Sequence, residues 1–133
     1  MRIVLVAPYF PPEVTGSSNF VCDLAIGLSE LGHSVCVVTA TEAMPHENFD
    51  VVSLKARRIK PGRIAFGYSI PTIIGRANRR ILEDLFDTFK PDIVSAHGQV
   101  FDITLLAASI AKKRKIPTVM TVHSAIWHDR PFL

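Results

Sequence analysis

Two hydrophobic rhythms alternate along the chain. Ile3 to Ala7 is an unbroken apolar run rich in β-branched residues, the pattern of a strand buried on both faces. Phe20, Leu24, Leu28 and Leu31 then recur at helical spacing, with Val21 and Ala25 alongside. They predict a helix that stops at Gly32, where a glycine can take up the left-handed turn after the last helical residue. Val35 to Thr39 and Val51 to Leu54 return to the strand pattern. Ser69 followed by Pro71 predicts a helix start with proline in the first turn, where its missing N–H is not needed. Ile74, Ala77, Ile81, Leu85 and Phe89 form that helix's expected buried stripe, and Pro91 limits it. Ile93 to Ala96 predicts a strand, about Phe101 to Lys113 a helix, and Thr118 to Val122 a last strand. Apolar strands that alternate with helices imply a mostly parallel sheet covered on both faces, a doubly wound, Rossmann-like α/β fold. No internal repeat or low-complexity linker divides residues 1–133, so a single domain is expected.

Composition adds little to that picture, but charge adds something. At 133 residues, 48% hydrophobic and 20% charged, the chain is an ordinary globular domain and not a disordered segment. Its net charge of +3 is unevenly placed. From Lys55 to Arg80 there are eight basic residues, among them Arg57, Arg58, Lys60 and Arg63, and no acid. Such a block suits an anionic partner (phosphate, an acidic membrane surface or nucleic acid), and it equally suits a solvated face. The cluster Lys112 to Lys115 falls at a helix C-terminus, where cations complement the dipole, and is read as structural rather than as a nucleic-acid site. Cys22 and Cys36 sit in apolar patterns as buried free thiols with no metal or disulfide spacing, which fits a reducing compartment. Pro8 and Pro11 interrupt the N-terminal apolar run too early for a signal peptide, and nothing approaches the ~20 apolar residues of a membrane span. A cytoplasmic location is expected.

In open parallel sheets, ligands bind outside the carboxyl ends of the strands. That edge receives Pro8 to Gly16, Thr39 and Thr41, Arg57 and Arg58, His97 and Gly98, and His123 and Ser124. The opposite edge receives turn residues such as Gly32, His33, Lys90 and Pro91. Gly16, lacking Cβ, can let a ligand approach at or just before a helix start, where free N–H groups attract an anion. It can also be only a turn, with Ser17 or Ser18 capping the helix. The loop matches neither GxGxxG nor GxxxxGK[ST], which argues against a dinucleotide enzyme or a P-loop NTPase. His97 and His123 each end a buried strand, as packing residues or as functional ones. No third ligand supports a zinc site between them.

The segments VAPYFPPEVTGSSNFVCDLAIGLSELGHSVCVVT, KPDIVSAHG and IPTVMTVHS resemble, in order and along nearly the whole chain, the N-terminal half of glycosyltransferase family 4. The resemblance implies the N-terminal, acceptor-side half of a GT-B architecture. Its activity would be that of a retaining, hexosyltransferase-type enzyme using a nucleoside-diphosphate sugar as donor substrate, with no cofactor and no metal. It implies that Gly16 matches the second glycine of a pair that approaches the donor diphosphate, with Thr15 in place of the first. His123 matches a histidine beside the donor sugar and is the expected catalytic residue. His97 matches a histidine on the acceptor side. Tyr9, Arg57 and Arg58 are expected acceptor contacts, and the basic segment from Arg57 to Arg63 falls where acceptor binding or membrane docking occurs. The family's C-terminal donor-binding domain has no counterpart in the sequence, so the domain is expected to be incomplete and inactive alone, a fragment of a longer enzyme or half of a split one. The expected partners are the sugar-nucleotide donor, an acceptor, the missing domain or partner chain and an anionic membrane surface, but not nucleic acid. The contrasting expectation is a non-catalytic binding or membrane-docking module for an anionic or lipid-linked ligand.

Overall fold

A computed structural model of the chain describes residues 1–60 and 69–123; Arg63 and Ser124, named above, lie outside the described residues. In chain order the elements are β1 (Arg2–Ala7), α1 (Gly16–Glu30), β2 (Ser34–Thr39), β3 (Asp50–Ser53), β4 (Arg57–Ile59), β5 (Ile70–Thr72), α2 (Arg76–Phe89), β6 (Ile93–His97), α3 (Asp102–Lys113) and β7 (Thr118–Thr121). Five strands form one sheet in the order β3-β2-β1-β6-β7, and every pairing in it is parallel. Leu5 stands opposite Val37 on one side and Ser95 on the other, so β1 lies at the centre. This is the expected doubly wound fold.

Alternation along the strands divides the core between the two faces of the sheet. Ile3, Leu5, Val35 and Val37 pack with Val21 and Ala25 of α1. Val4, Val6, Cys36, Val38 and Val94 pack with Leu82 and Phe86 of α2 and Ile103, Ala107 and Ile110 of α3. Helices therefore cover both faces. Cys36 is buried, and burial, helped by Asp50, pushes its thiol up to about 12; Cys22 is only half-buried, and both are free.

Helix ends follow the local chemistry. Gly32, at φ +89°, ends α1 by donating its N–H to Ser29 O (3.0 Å), while the His33 N–H reaches Leu28 O (3.1 Å). That pair of bonds is the Schellman arrangement. Lys112 and Lys113 fall in the last turn of α3, and Arg114 bonds Asp87 of α2 through Nε (2.7 Å) and an Nη (3.1 Å). The basic cluster thus closes a helix and ties two helices together.

Two expectations are corrected. The helix predicted from Ser69 and Pro71 begins at Arg76; Ile70–Thr72 is instead a strand, paired antiparallel with Arg57–Ile59. The β-branched run Ile70, Thr72, Ile73 and Ile74 favours an extended chain. Pro71 is tolerated because a two-stranded ribbon has free edges. Gly75, at φ +145°, then turns the chain into the helix. The second correction concerns which line of each helix is buried. In α2 the buried residues are Asn78, Leu82 and Phe86, with Leu85 and Phe89 partly covered, whereas Ile74 and Ile81 are exposed. In α1 the buried residues are Ser18, Val21 and Ala25, whereas Phe20 and Leu31 are exposed. Two adjacent apolar lines run along each helix, and contact with the sheet selects one. Asn78 goes inside because its amide is fully engaged: it accepts from Lys55 N (3.2 Å) and donates to Lys55 O (2.6 Å) and Ile73 O (3.0 Å).

Candidate functional site

Strand order reverses between β1 and β6. The chain leaves β1 for α1 on one face and leaves β6 for α3 on the other, which opens a crevice at the carboxyl ends of these strands. The loop after β1 is anchored. Phe10 donates its N–H to Thr41 Oγ1 (3.1 Å) and accepts from it (3.3 Å), so strands β1 and β2 hold the loop jointly. Tyr9 is buried edge-on against Phe101, and its hydroxyl donates to Ser69 O (2.8 Å). Burial, with Glu13 nearby, pushes the phenol pKa up.

Thr15 is the N-cap of α1. Its Oγ1 accepts from Ser18 N (3.0 Å) while Ser18 Oγ accepts from Thr15 N (2.8 Å), a reciprocal capping box. Ser18 therefore completes the cap rather than supplying it, and the Thr15 hydroxyl is already committed. Gly16 is the first helical residue, and a Cβ built on it would meet nothing within 4 Å. Neither backbone strain nor a protein neighbour demands a glycine there. Since Asn19 N–H closes on Thr15 O (3.2 Å), the open end of the helix is carried by the N–H groups of Gly16 and Ser17.

Gly98 behaves differently. Its φ is +94°, and a Cβ would lie 2.8 Å from a Phe101 ring carbon, so a glycine is required where the chain leaves β6. Its N–H donates to Thr121 O (3.0 Å) and its carbonyl accepts from Thr104 Oγ1 (2.6 Å), which fixes the exit of β6 against β7 and α3.

The two histidines meet. His97, only 1% exposed, places Nδ1 3.0 Å from Nε2 of the exposed His123, and its own Nε2 lies 3.1 Å from Ser95 Oγ. Phe20, from the second turn of α1, sets its ring edge-on to His123 at 5.2 Å and tilted over His97 at 5.9 Å. Burial lowers the His97 pKa to about 4, and His123 adds to the effect. His97 is therefore a neutral imidazole at physiological pH.

The expected acceptor contacts separate. Arg58 is held by Glu13 through two bonds (2.9 and 2.5 Å), touches Ser69 Oγ at 3.4 Å and lies over the Tyr9 ring at 6.0 Å. It straps the loop after β1 to the β4–β5 ribbon. Arg57, next to it, is exposed and makes no ion pair among the described residues. Tyr9 and Arg58 are thus tied to Ser69 and Glu13, and Arg57 faces solvent. Sequence reading missed Ser95, Phe20 and Glu13 as site residues. Ser95 had a usable signal, because strand periodicity puts it on the His97 face. Phe20 had none, since its apolar spacing points to the core. Among the described residues there is no cluster of three metal-ligating side chains, and no helix is long and apolar enough to cross a membrane.

Comparison with known proteins agrees with this geometry. The alpha-monoglucosyldiacylglycerol synthase of Acholeplasma laidlawii is 29% identical over 126 residues, which cover 94% of this chain and 30% of that protein. The solved structure of a glycosyltransferase from Rickettsia africae ESF-5 superposes with a TM-score of 0.57 over 91% of this chain and 28% of the other, at 15% identity, a likeness of fold alone. The chain spans less than a third of the length of either. The model of Glycosyltransferase Family 4 matches residues 14–133, and with the parallel sheet and the two segments that meet at its switch point, the chain belongs to that glycosyltransferase family.

Proposed function

We propose that this chain is the acceptor-side domain of a retaining glycosyltransferase of hexosyltransferase type, moving a sugar from a nucleoside diphosphate to an acceptor hydroxyl. One observation carries the reading: the open first turn of α1 and the His97–His123 pair share one crevice. Phe20, one helical turn beyond Gly16, touches both histidines. The bond from the anomeric carbon to the leaving phosphate breaks, negative charge collects on the diphosphate and the sugar gains oxocarbenium character; the acceptor oxygen then bonds the anomeric carbon and its proton passes to the departing diphosphate. The Gly16 and Ser17 N–H groups are suited to the first charge, since fixed donors in a protein crevice need no reorganisation. Their dipole adds roughly 0.3–1 kcal/mol, so they assist other contacts. His123 hydrogen-bonds the sugar or the attacking hydroxyl, and alignment of the two substrates supplies much of the rate. A second α/β domain, from further polypeptide or a partner chain, holds most of the donor, and the 133-residue chain alone does not turn over. The test is His123→Ala in the full-length enzyme. Turnover should fall at least tenfold while the melting temperature stays within a few degrees; unchanged turnover refutes the assignment.

A second reading concerns where the acceptor resides. Ile74, 86% exposed, Ala77 and Ile81 line one side of a 430 Å³ groove whose other wall holds Lys55, Ala56 and Arg57. Arg76 and Arg80 are exposed on the same end of α2. An outward apolar stripe edged by cations suits an anionic lipid surface, and the Acholeplasma laidlawii relative is named for a diacylglycerol glycolipid. We therefore place the domain peripherally on the cytoplasmic face of a membrane, with a lipid-linked acceptor. Sedimentation with vesicles containing acidic lipid should deplete the protein more than neutral vesicles do. Indifference to lipid charge removes this reading and leaves the first intact.

A further inference from the structure

The contacts around His97 leave few ways to arrange its protons. Ser95, His97 and His123 form a line of hydrogen bonds running from the middle of β6 to the crevice, with 3.1 Å and 3.0 Å between the successive heavy atoms. Two proton arrangements fit these distances. In one, His123 donates inward to His97, and His97 donates to Ser95, which leaves the serine O–H with no acceptor among the described residues. In the other, Ser95 donates to His97 Nε2, and His97 Nδ1–H donates to His123 Nε2. The second leaves its unpaired donor on exposed His123, where water reaches it, rather than on half-buried Ser95, and a hydrogen bond left unmade away from water costs about 1–3 kcal/mol. His97 has too little contact with water to carry both protons, and the Phe20 ring packs against both imidazoles, whose planes lie 29° apart.

We propose that His97 is a positioning residue rather than an acceptor contact: the outward line Ser95–His97–His123 holds His123 Nε2 as an acceptor and so presents His123 Nδ1–H to the crevice as a hydrogen-bond donor. The proposal deepens the glycosyltransferase reading by giving the reaction-centre histidine a defined tautomer. A donor at that point matches a ligand oxygen with lone pairs, such as a sugar hydroxyl or a phosphate oxygen. It is wrong for a general base, which would need a bare nitrogen facing the acceptor. Neutral imidazole in water favours the opposite, Nε2–H form, so the imposed tautomer is a signature that a merely structural histidine would not leave on its neighbour.

The experiment is long-range ¹H–¹⁵N correlation NMR on the ¹⁵N-histidine-labelled chain without ligand, in which protonated and bare ring nitrogens are separately resolved. His97 and His123 should both show protonated Nδ1 and bare Nε2. Ser95→Ala should return His97 to a mixture of tautomers, and His123 should follow; Ser95→Thr, which restores the hydroxyl, should restore both. His97→Asn, whose amide N–H stands near the position of Nδ1–H, should keep His123 in its imposed form, whereas His97→Ala should release it. Protonated Nε2 on either histidine of the unaltered chain, or a His123 tautomer unmoved by Ser95→Ala, overturns the proposal. Backbone amide spectra of each variant confirm that it is folded before its tautomers are compared. None of these readouts depends on turnover, so a failed His123→Ala test of catalysis and a failed line of hydrogen bonds are distinguished.

Discussion

Acidification should destabilise this domain through His97. The group is 1% exposed, and its pKa falls from 6.5 to about 4, chiefly because burial disfavours the imidazolium and secondarily because His123 lies beside it. Among the described residues its hydrogen-bonding and ring neighbours are Ser95, His123 and Phe20, none of them acidic. The sign follows from proton binding. Between the two pKa values the unfolded chain holds a proton on this residue and the folded chain does not, so stability is full above the unfolded value and is lost as pH falls towards about 4. Each pKa unit is worth about 1.4 kcal/mol, so the whole shift represents roughly 3 kcal/mol. Against a domain stability of about 5–15 kcal/mol, that is enough to matter. Urea unfolding across this pH window measures it, with His97→Gln, which cannot titrate, as the reference. The variant loses packing at neutral pH, but its deficit relative to the unaltered chain should shrink on acidification, with a limiting slope of about 1.4 kcal/mol per pH unit. Carboxylates and histidines that do not touch His97 cancel in the difference. Two stability curves that stay parallel across the window would refute the claim that His97 is buried neutral.

Substitutions at four further positions test the rest of the structure. Thr15→Ala removes the reciprocal cap of α1 and should cost about 1 kcal/mol in denaturant unfolding, whereas Thr15→Gly should cost only a few tenths. Gly98→Ala should cost more than about 1 kcal/mol, from its positive φ and the contact with Phe101, while Gly16→Ala, with open space around it, should leave stability nearly unchanged. If the Gly16 variant keeps its melting temperature and the full-length enzyme still loses nucleotide-sugar affinity in calorimetry, the glycine serves the ligand; unchanged affinity removes it from the phosphate site. Asn78→Ala strands the Lys55 N–H and two carbonyls under α2 and should cost about 1–3 kcal/mol by thermal or urea unfolding.

Local chemistry made much of this protein legible before any contact was known. The unbroken apolar runs at Ile3 to Ala7 and Val35 to Thr39, the glycine stop at Gly32 and the cations ending α3 are short-range features, and each forms where it was expected. The gathering of polar residues at the carboxyl edge follows from the parallel sheet itself. Tertiary contact decided the remainder. Periodicity marks a helix but does not say which of two neighbouring apolar lines meets the sheet, so Phe20 moved from the core to the histidines, and Ile74 and Ile81 moved to the surface. The helix start expected from Ser69 and Pro71 gave way to a β-branched strand paired with Arg57–Ile59. His97 and His123 stand 26 residues apart and were expected one strand from each other. Only the parallel pairing of β6 with β7, which sets His97 opposite Thr121, brings their rings within hydrogen-bonding distance. A side chain's type and spacing determine what it can do, and long-range strand pairing determines which other side chain it does it with.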